Sequence, residues 1–169
     1  MAINKKLANS ILKMAETDQR SRFDSLKIKN KKIAEQKIIS TDKENIIQAK
    51  RIIKQYNWPT FNLIGKRASR AFWLIIQHAD LDIQFQKLCL KLLKNAVNNK
   101  QAFPQNEAYL ADRVLINSGK KQIYGTQFYR NTKNKLVPRP IKNVKNIEKL
   151  RKSVRLESFT NYLQKMNNQ

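Results

Sequence analysis

The chain has a single histidine, His78, in the run Gln77-His78-Ala79-Asp80-Leu81-Asp82. An imidazole beside a carboxylate suits general acid–base chemistry, because the carboxylate accepts one ring N–H, fixes the tautomer and strengthens the other nitrogen as a base. Asp80 and Asp82 are both near enough in sequence, and in the catalytic reading Asp80 orients His78. The structural alternative is that one aspartate caps the next helix and His78 is a hydrogen-bonded corner residue. Asp112-Arg113, preceded by Glu107 and Tyr109, is a second group. Adjacent helical residues diverge by about 100°, so the two need separate partners: Asp80 or Asp82 for Arg113, and Arg22 or Arg67 for Asp112. Asp112 thus joins His78 and Asp80 as a candidate catalytic residue, with a buried structural network as the alternative. The third group, Tyr124-Gly125-Thr126-Gln127, sets three hydrogen-bonding side chains around a glycine that permits close approach. It suits ligand binding better than catalysis. One histidine with scattered aspartates has no ligand spacing that specifies a metal, and neither a metal nor a cofactor is expected.

These groups must be held by helices. Leu7, Ala8, Ile11, Leu12 and Ala15 form a helical stripe whose phase continues into Asp18, Gln19 and Arg22. Either the helix leaves the core there and Asp18 pairs with Arg22 on the surface, or its end projects polar groups into a cleft. The segment 21–40 is Lys-rich with weak periodicity and reads as a helix or a mobile basic connection. Thr41-Asp42-Lys43-Glu44 has the form of a capping box and predicts a helix start near Asp42, with Asn57-Trp58-Pro59 as its stop. Helices are also predicted over 66–79, 82–97 and 106–117. His78 sits at the joint between the first two of these, at the margin of the apolar face, and Gln77 points away from that face. Cys89 falls in mid-stripe and reads as a small buried hydrophobe. Alternation over 122–129 predicts a strand, and 136–141 a returning edge strand limited by Pro138 and Pro140. Short helices over 147–154 and 158–166 close the chain. The expected fold is mainly α (α+β): a compact bundle of five to seven helices, in a single domain over 1–169, with one small antiparallel β-hairpin near the C-terminal side.

Composition bounds the function. The 169 residues are 41% hydrophobic with three Gly and four Pro, which fits a folded domain and not a disordered chain. The longest apolar run is Ala71 to Ile76, too short for a membrane span, and no export signal is evident. One cysteine cannot form an internal disulfide, so a cytoplasmic setting is expected. The net charge is +23, divided as +8 over 1–57, +4 over 58–118 and +11 over 119–169. Abundant Lys beside many Asn and Ile is what AT-rich codon usage produces without a partner. The functional reading is a polyanion, because clustered Lys and Arg release counterions from nucleic acid. Two clusters support it: Lys27, Lys29, Lys31 and Lys32, and a stretch from Arg130 through Lys133, Lys135 and Arg139 to Lys142, Lys145, Lys149, Arg151, Lys152 and Arg155, in which Glu148 is the only acid. No nucleic-acid-reading motif accompanies either.

Taken together, Trp58-Pro59-Thr60, Gly65, Trp73 to Asp80, Asp82, Phe85-Gln86, Tyr109 to Val114 and Gln122 to Gln127 resemble a bacterial family known only as a domain of unknown function. The similarity extends from Asp18 almost to Tyr162. Asn57 stands where relatives carry Gly and can also cap a helix. The family brings no activity with it. What the resemblance implies is a set to be tested together: Asp18, Gln19, Arg22, Gln77, His78, Asp80, Asp112, Arg113, Tyr124 and Gln127. With Thr126, these give the leading expectation, a polar pocket around His78. In it Arg22 and Arg113 hold an anionic group, and Tyr124 with Gln127 positions the ligand of a hydrolase or transferase. The alternatives are a nucleic-acid-binding protein or nuclease, and an interaction module without catalysis. The partner is otherwise unknown, with no membrane role expected.

Overall fold

The computed structural model describes residues 2–167 and divides into two compact units, Met1–Phe103 and Pro104–Gln169. Among the described residues it is mainly α, with seven α-helices and one two-stranded antiparallel sheet on the C-terminal side.

The first unit contains α1 (Lys5–Ser25), α2 (Lys31–Tyr56), α3 (Phe61–Gln77) and α4 (Ile83–Asn98). Asn4 caps α1 by accepting from Leu7 N at 3.0 Å. The core is made by Ala8, Ile11 and Ala15 of α1, Ile46, Ala49 and Ile53 of α2, Ala68, Phe72 and Ile76 of α3, and Phe85, Cys89 and Leu93 of α4, all buried. Cys89 is the core hydrophobe its position in the stripe implied, and burial pushes its thiol pKa up. Trp58 packs edge-on against Phe72 with ring centroids 5.3 Å apart. Asn57 closes α2 at φ 56°, as expected of a C-cap.

Two helix boundaries differ from the sequence reading. Gly65, at φ 76° and ψ 164°, breaks α3, so Phe61–Ile64 form a separate first turn and the regular helix begins at Lys66, where the periodicity places it. The capping box at Thr41 is not a helix start. The chain enters α2 at Asn30, whose side chain accepts from Lys32 N and Ile33 N at 3.0 and 3.3 Å. Inside the helix, Thr41 Oγ1 donates to Lys37 O at 3.1 Å. A threonine can bond the carbonyl four residues back as readily as it can cap, and that frees Asp42 for another task.

The second unit comprises α5 (Pro104–Asn117), β1 (Phe128–Arg130), β2 (Leu136–Pro138), a 3-10 turn over 144–146, α6 (Ile147–Ser153) and α7 (Phe159–Asn167). Phe128 pairs with Pro138, Tyr129 with Val137 and Arg130 with Leu136. The strand predicted over 122–129 shrinks to its last residues. Gly125 at φ 69° turns the backbone out of extended geometry, and 122–127 form a loop built on α5. Arg151, counted in the basic stretch by sequence, is fully buried. Its Nε donates to Glu157 O at 2.8 Å, its Nη1 to Tyr124 O at 2.7 Å, and the guanidinium lies over the rings of Phe159 and Tyr162. It serves as an internal strut, which removes it from any surface for polyanions.

Candidate functional site

In the first unit the stripe of α1 turns polar without leaving the core. Asp18 is 1% exposed, and Ser21 and Ser25 after it are buried. Ser21 Oγ lies 3.4 Å from Lys37 O and 3.0 Å from Thr41 Oγ1, and Ser25 Oγ donates to Ser21 O at 2.7 Å. This seam fastens α1 to α2 and excludes the surface reading of Asp18.

The carboxylate of Asp18 gathers polar groups from α1 and from the C-terminal end of α3. His78, which caps α3, brings Nδ1 to 2.9 Å from Asp18 Oδ2. Gln19 Nε2 donates to the same oxygen at 2.7 Å. Arg22 approaches through Nε at 3.3 Å from Oδ2 and Nη2 at 3.2 Å from Oδ1. Arg22 Nη2 also donates to Asp42 Oδ1, so α2 enters the cluster. Burial alone would raise the Asp18 carboxyl, but the hydrogen bonds and charges of His78 and Arg22 outweigh it and hold the pKa below its ordinary value. Asp42 responds the other way. Burial, helped by repulsion from Asp18 and Asp80 and opposed by Arg22 and His78, pushes it up to about 6.

Arg22 Nε also lies 3.0 Å from His78 Nδ1. One nitrogen cannot accept from Arg22 and donate to Asp18 at once. With Asp18 ionised, the arrangement that satisfies the carboxylate places the proton on Nδ1, donated to Oδ2, and directs the Arg22 Nε–H to the same oxygen. The lone pair then sits on Nε2. The side chain of His78 is 20% exposed, and among the described residues nothing bonds Nε2.

The corner after His78 differs from the expectation in its orienting acid: Asp18 from α1 engages the ring nitrogen, where sequence proximity favoured Asp80. Asp80 Oδ1 instead accepts from Gln86 Nε2 at 3.1 Å, and the same Gln86 nitrogen reaches Ile76 O at 3.1 Å. Gln86 is fully buried and ties the start of α4 to the end of α3. Asp82 is the N-cap of α4, accepting from Phe85 N at 2.9 Å, and pairs with Lys50 at 2.7 Å. Gln77 is buried, not turned outward, and its Oε1 has no hydrogen-bond partner among the described residues. Arg22 is enclosed by two carboxylates, which leaves it a poor holder of a substrate anion.

In the second unit Asp112 is fully buried. It accepts from Ile123 N at 2.7 Å, from Tyr124 N at 3.0 and 3.1 Å, and from Thr126 N and Oγ1, each at 3.0 Å. Backbone donors of its own loop thus take the place of the arginines expected to pair with it. Gln127 Nε2 donates to Thr126 Oγ1 at 3.0 Å, and Arg113 Nη1 donates to Gln127 Oε1 at 3.2 Å. Buried Gln122 completes the support, accepting from Gln127 N at 2.8 Å and donating to Gln127 O and Arg139 O at 3.0 and 2.8 Å. Gly125 permits close packing: a Cβ there would lie 2.5 Å from Phe159 Cε2.

Asp42, Gln86, Gln122 and Arg151 were missed as key positions. Asp42 was hidden by its place in a plausible capping box, whereas Gln86 and Gln122 stood within the motifs that carry the family resemblance. The basic candidates Lys27, Lys29, Lys31 and Lys32 are exposed at the turn into α2, and Arg130, Lys133, Lys135 and Arg139 are exposed on the hairpin. No described helix is long and apolar enough to cross a membrane.

Residues 5–169 match the model of a family of unknown function, DUF6624, and the chain belongs to that family. Comparison with curated proteins and with solved structures finds no match.

Proposed function

We propose that the chain is a hydrolase or transferase in which His78, oriented by Asp18, removes or returns a proton through Nε2. The observation that supports this is the 2.9 Å approach of His78 Nδ1 to the buried carboxylate of Asp18. A carboxylate kept ionised inside the protein favours the Nδ1–H tautomer and stabilises the imidazolium that forms when Nε2 takes a proton. Arg22 and Gln19 are positioning residues that hold Asp18, Asp42 anchors Arg22, and Asp80 with Gln86 fixes the backbone turn carrying the ring. Asp112 and Thr126 are assigned to loop support. An anionic substrate is favoured by the net charge of +23, which raises the local concentration of anions around the molecule, and a cytoplasmic setting suits a chain whose one thiol is buried.

Because the chain has one histidine, a ¹⁵N spectrum of labelled imidazole reads the tautomer directly. The expected result is a protonated Nδ1 and a bare Nε2, with Asp18→Asn shifting the proton toward Nε2. Turnover of p-nitrophenyl acetate, phosphate and bis-phosphate should fall roughly 100-fold or more in His78→Gln wherever the wild type is active. An Nε2–H tautomer in the wild type, or unchanged turnover in His78→Gln, would refute the proposal.

A further inference from the structure

We infer that the β-hairpin of the second unit, with the chain that follows it to Lys145, binds single-stranded nucleic acid. The inference does not rest on the chemistry proposed for His78.

From Arg130 to Lys145 the sequence places Arg130, Lys133, Lys135, Arg139, Lys142 and Lys145 with no acidic residue among them. All six are exposed, and among the described residues no carboxylate pairs with any of them. The nearest acid in sequence beyond them, Glu148, is already used, both of its oxygens accepting from Phe159 N at 3.1 Å to cap α7. The positive charge is therefore left for solvent or for a ligand. A stretch of unneutralised lysines and arginines concentrates phosphates by counterion release.

Charge alone would suit any polyanion, and Tyr129 narrows the choice. It is the central residue of β1 and lies opposite Val137, so its ring faces the other side of the ribbon from Phe128, which packs on Tyr162 with centroids 5.5 Å apart. Tyr129 is 42% exposed. Arg139, two residues beyond Val137 and so on the same face, sets its guanidinium 5.3 Å from the Tyr129 ring centroid. A part-exposed aromatic ring with a planar guanidinium over it, amid further cations, offers stacking surfaces of the kind on which unpaired bases lie while their phosphates are neutralised. The surface lacks the features of a lipid-inserting one: between Arg130 and Arg155 the only large hydrophobic that stands exposed is Val144, too little apolar area to anchor in a bilayer.

The test uses the full chain and fluorescein-labelled oligo(dT) and oligo(U), read by anisotropy from 50 to 200 mM salt, with polyphosphate of equal charge as competitor. Six phosphate contacts at a single-strand slope of about 0.7 each predict roughly a 300-fold loss of affinity over that range. Replacing Arg130, Lys133, Lys135 and Arg139 by Gln should lower the log–log slope by about 3. Tyr129→Ala should weaken oligonucleotide binding roughly tenfold and leave polyphosphate binding unchanged. Exchanging Lys27, Lys29, Lys31 and Lys32 for Gln should leave affinity for both within twofold. The inference is overturned if no oligonucleotide binds at 50 mM salt, if polyphosphate binds as well as oligonucleotide and Tyr129→Ala changes neither, or if vesicles rich in phosphatidylserine bind in preference.

Discussion

Asp42→Asn should not weaken the protein at neutral pH, although it removes a half-buried charged partner of Arg22. The ordinary carboxyl value of 3.8 is displaced to about 6 in the folded protein, with burial the largest cause. An acid whose pKa is raised by folding holds its proton more tightly in the native state, so stability is greatest at low pH and falls as pH rises through the window from about 4 to about 6. A displacement of roughly two units at about 1.4 kcal/mol each corresponds to about 3 kcal/mol. Asparagine resembles the protonated side chain and carries no such cost. Arg22 keeps its contact with Asp18 at 3.2 Å, with its own side chain 29% exposed, so no unpaired buried charge remains. Asp18, whose pKa is lowered, contributes in the opposite sense and only as pH falls below its ordinary value, outside this window. Both tryptophans, Trp58 and Trp73, lie in the first unit, so urea titrations followed by their fluorescence report on the region concerned. Relative to wild type, Asp42→Asn should be near neutral at pH 4 and gain about 3 kcal/mol by pH 7. A variant more than about 1 kcal/mol less stable at pH 7, with a difference flat in pH, would show that the ion pair with Arg22 outweighs burial, and the reasoning would be wrong.

Three other substitutions probe the supports. Asp112→Asn replaces an acceptor oxygen with a donor amide facing backbone N–H groups, and should cost about 3 kcal/mol in denaturation followed by circular dichroism, since each buried donor left unpaired costs about 1–3 kcal/mol. A loss below 1 kcal/mol would mean that the loop repacks. Gly125→Ala combines a Cβ at φ +69° with a clash in which that Cβ lies 2.5 Å from Phe159 Cε2 and should cost about 2 kcal/mol or more. Measured in the Phe159→Ala background the same change should cost distinctly less, and equal costs in the two backgrounds would discard the steric account. Gln86→Leu keeps the volume but removes the buried amide that joins Ile76 O to Asp80, so it should lower stability by about 1–2 kcal/mol, and an unchanged urea midpoint would contradict the role assigned to Gln86.

The apolar framework was legible because helical burial repeats locally. Ala68, Phe72, Ile75 and Ile76 announce α3, and Phe85, Cys89 and Leu93 announce α4, before any tertiary contact is known. Legibility failed where one pattern serves two structures. Thr41-x-x-Glu44 caps a helix only if the preceding chain is not already helical, and nothing local to Thr41 decides that. The alternation over 122–127 failed for a related reason: successive N–H groups there converge on Asp112, a residue of α5, and a period of two cannot distinguish a strand edge from a loop wrapped around a buried carboxylate.

The histidine site was legible in membership but not in connection. Asp18, Gln19, Arg22 and His78 do come together, yet sequence proximity favoured Asp80 as the partner of the ring because a neighbour two residues away costs no loop closure. The fold reverses that preference. His78 ends α3 with its backbone N–H bonded to Ile75 O and Leu74 O, which fixes the main chain from which its ring projects, and Asp18 reaches it from a separate helix only because the stripe of α1 stays buried as it turns polar. Asp80 is meanwhile held by Gln86. An acid brought across 60 residues is set by the packing of α1 against α3, so its distance from Nδ1 is fixed by the core itself. That rigidity is what a base needs if its tautomer is to be fixed before a substrate arrives. It also predicts that a packing change in the α1–α3 contact, such as Ile11→Ala, will disturb the His78 tautomer as well as stability, whereas a volume change at Leu93 in α4 will lower stability and leave the tautomer unaltered. If both changes affect the imidazole spectrum equally, the dyad is not positioned by α1.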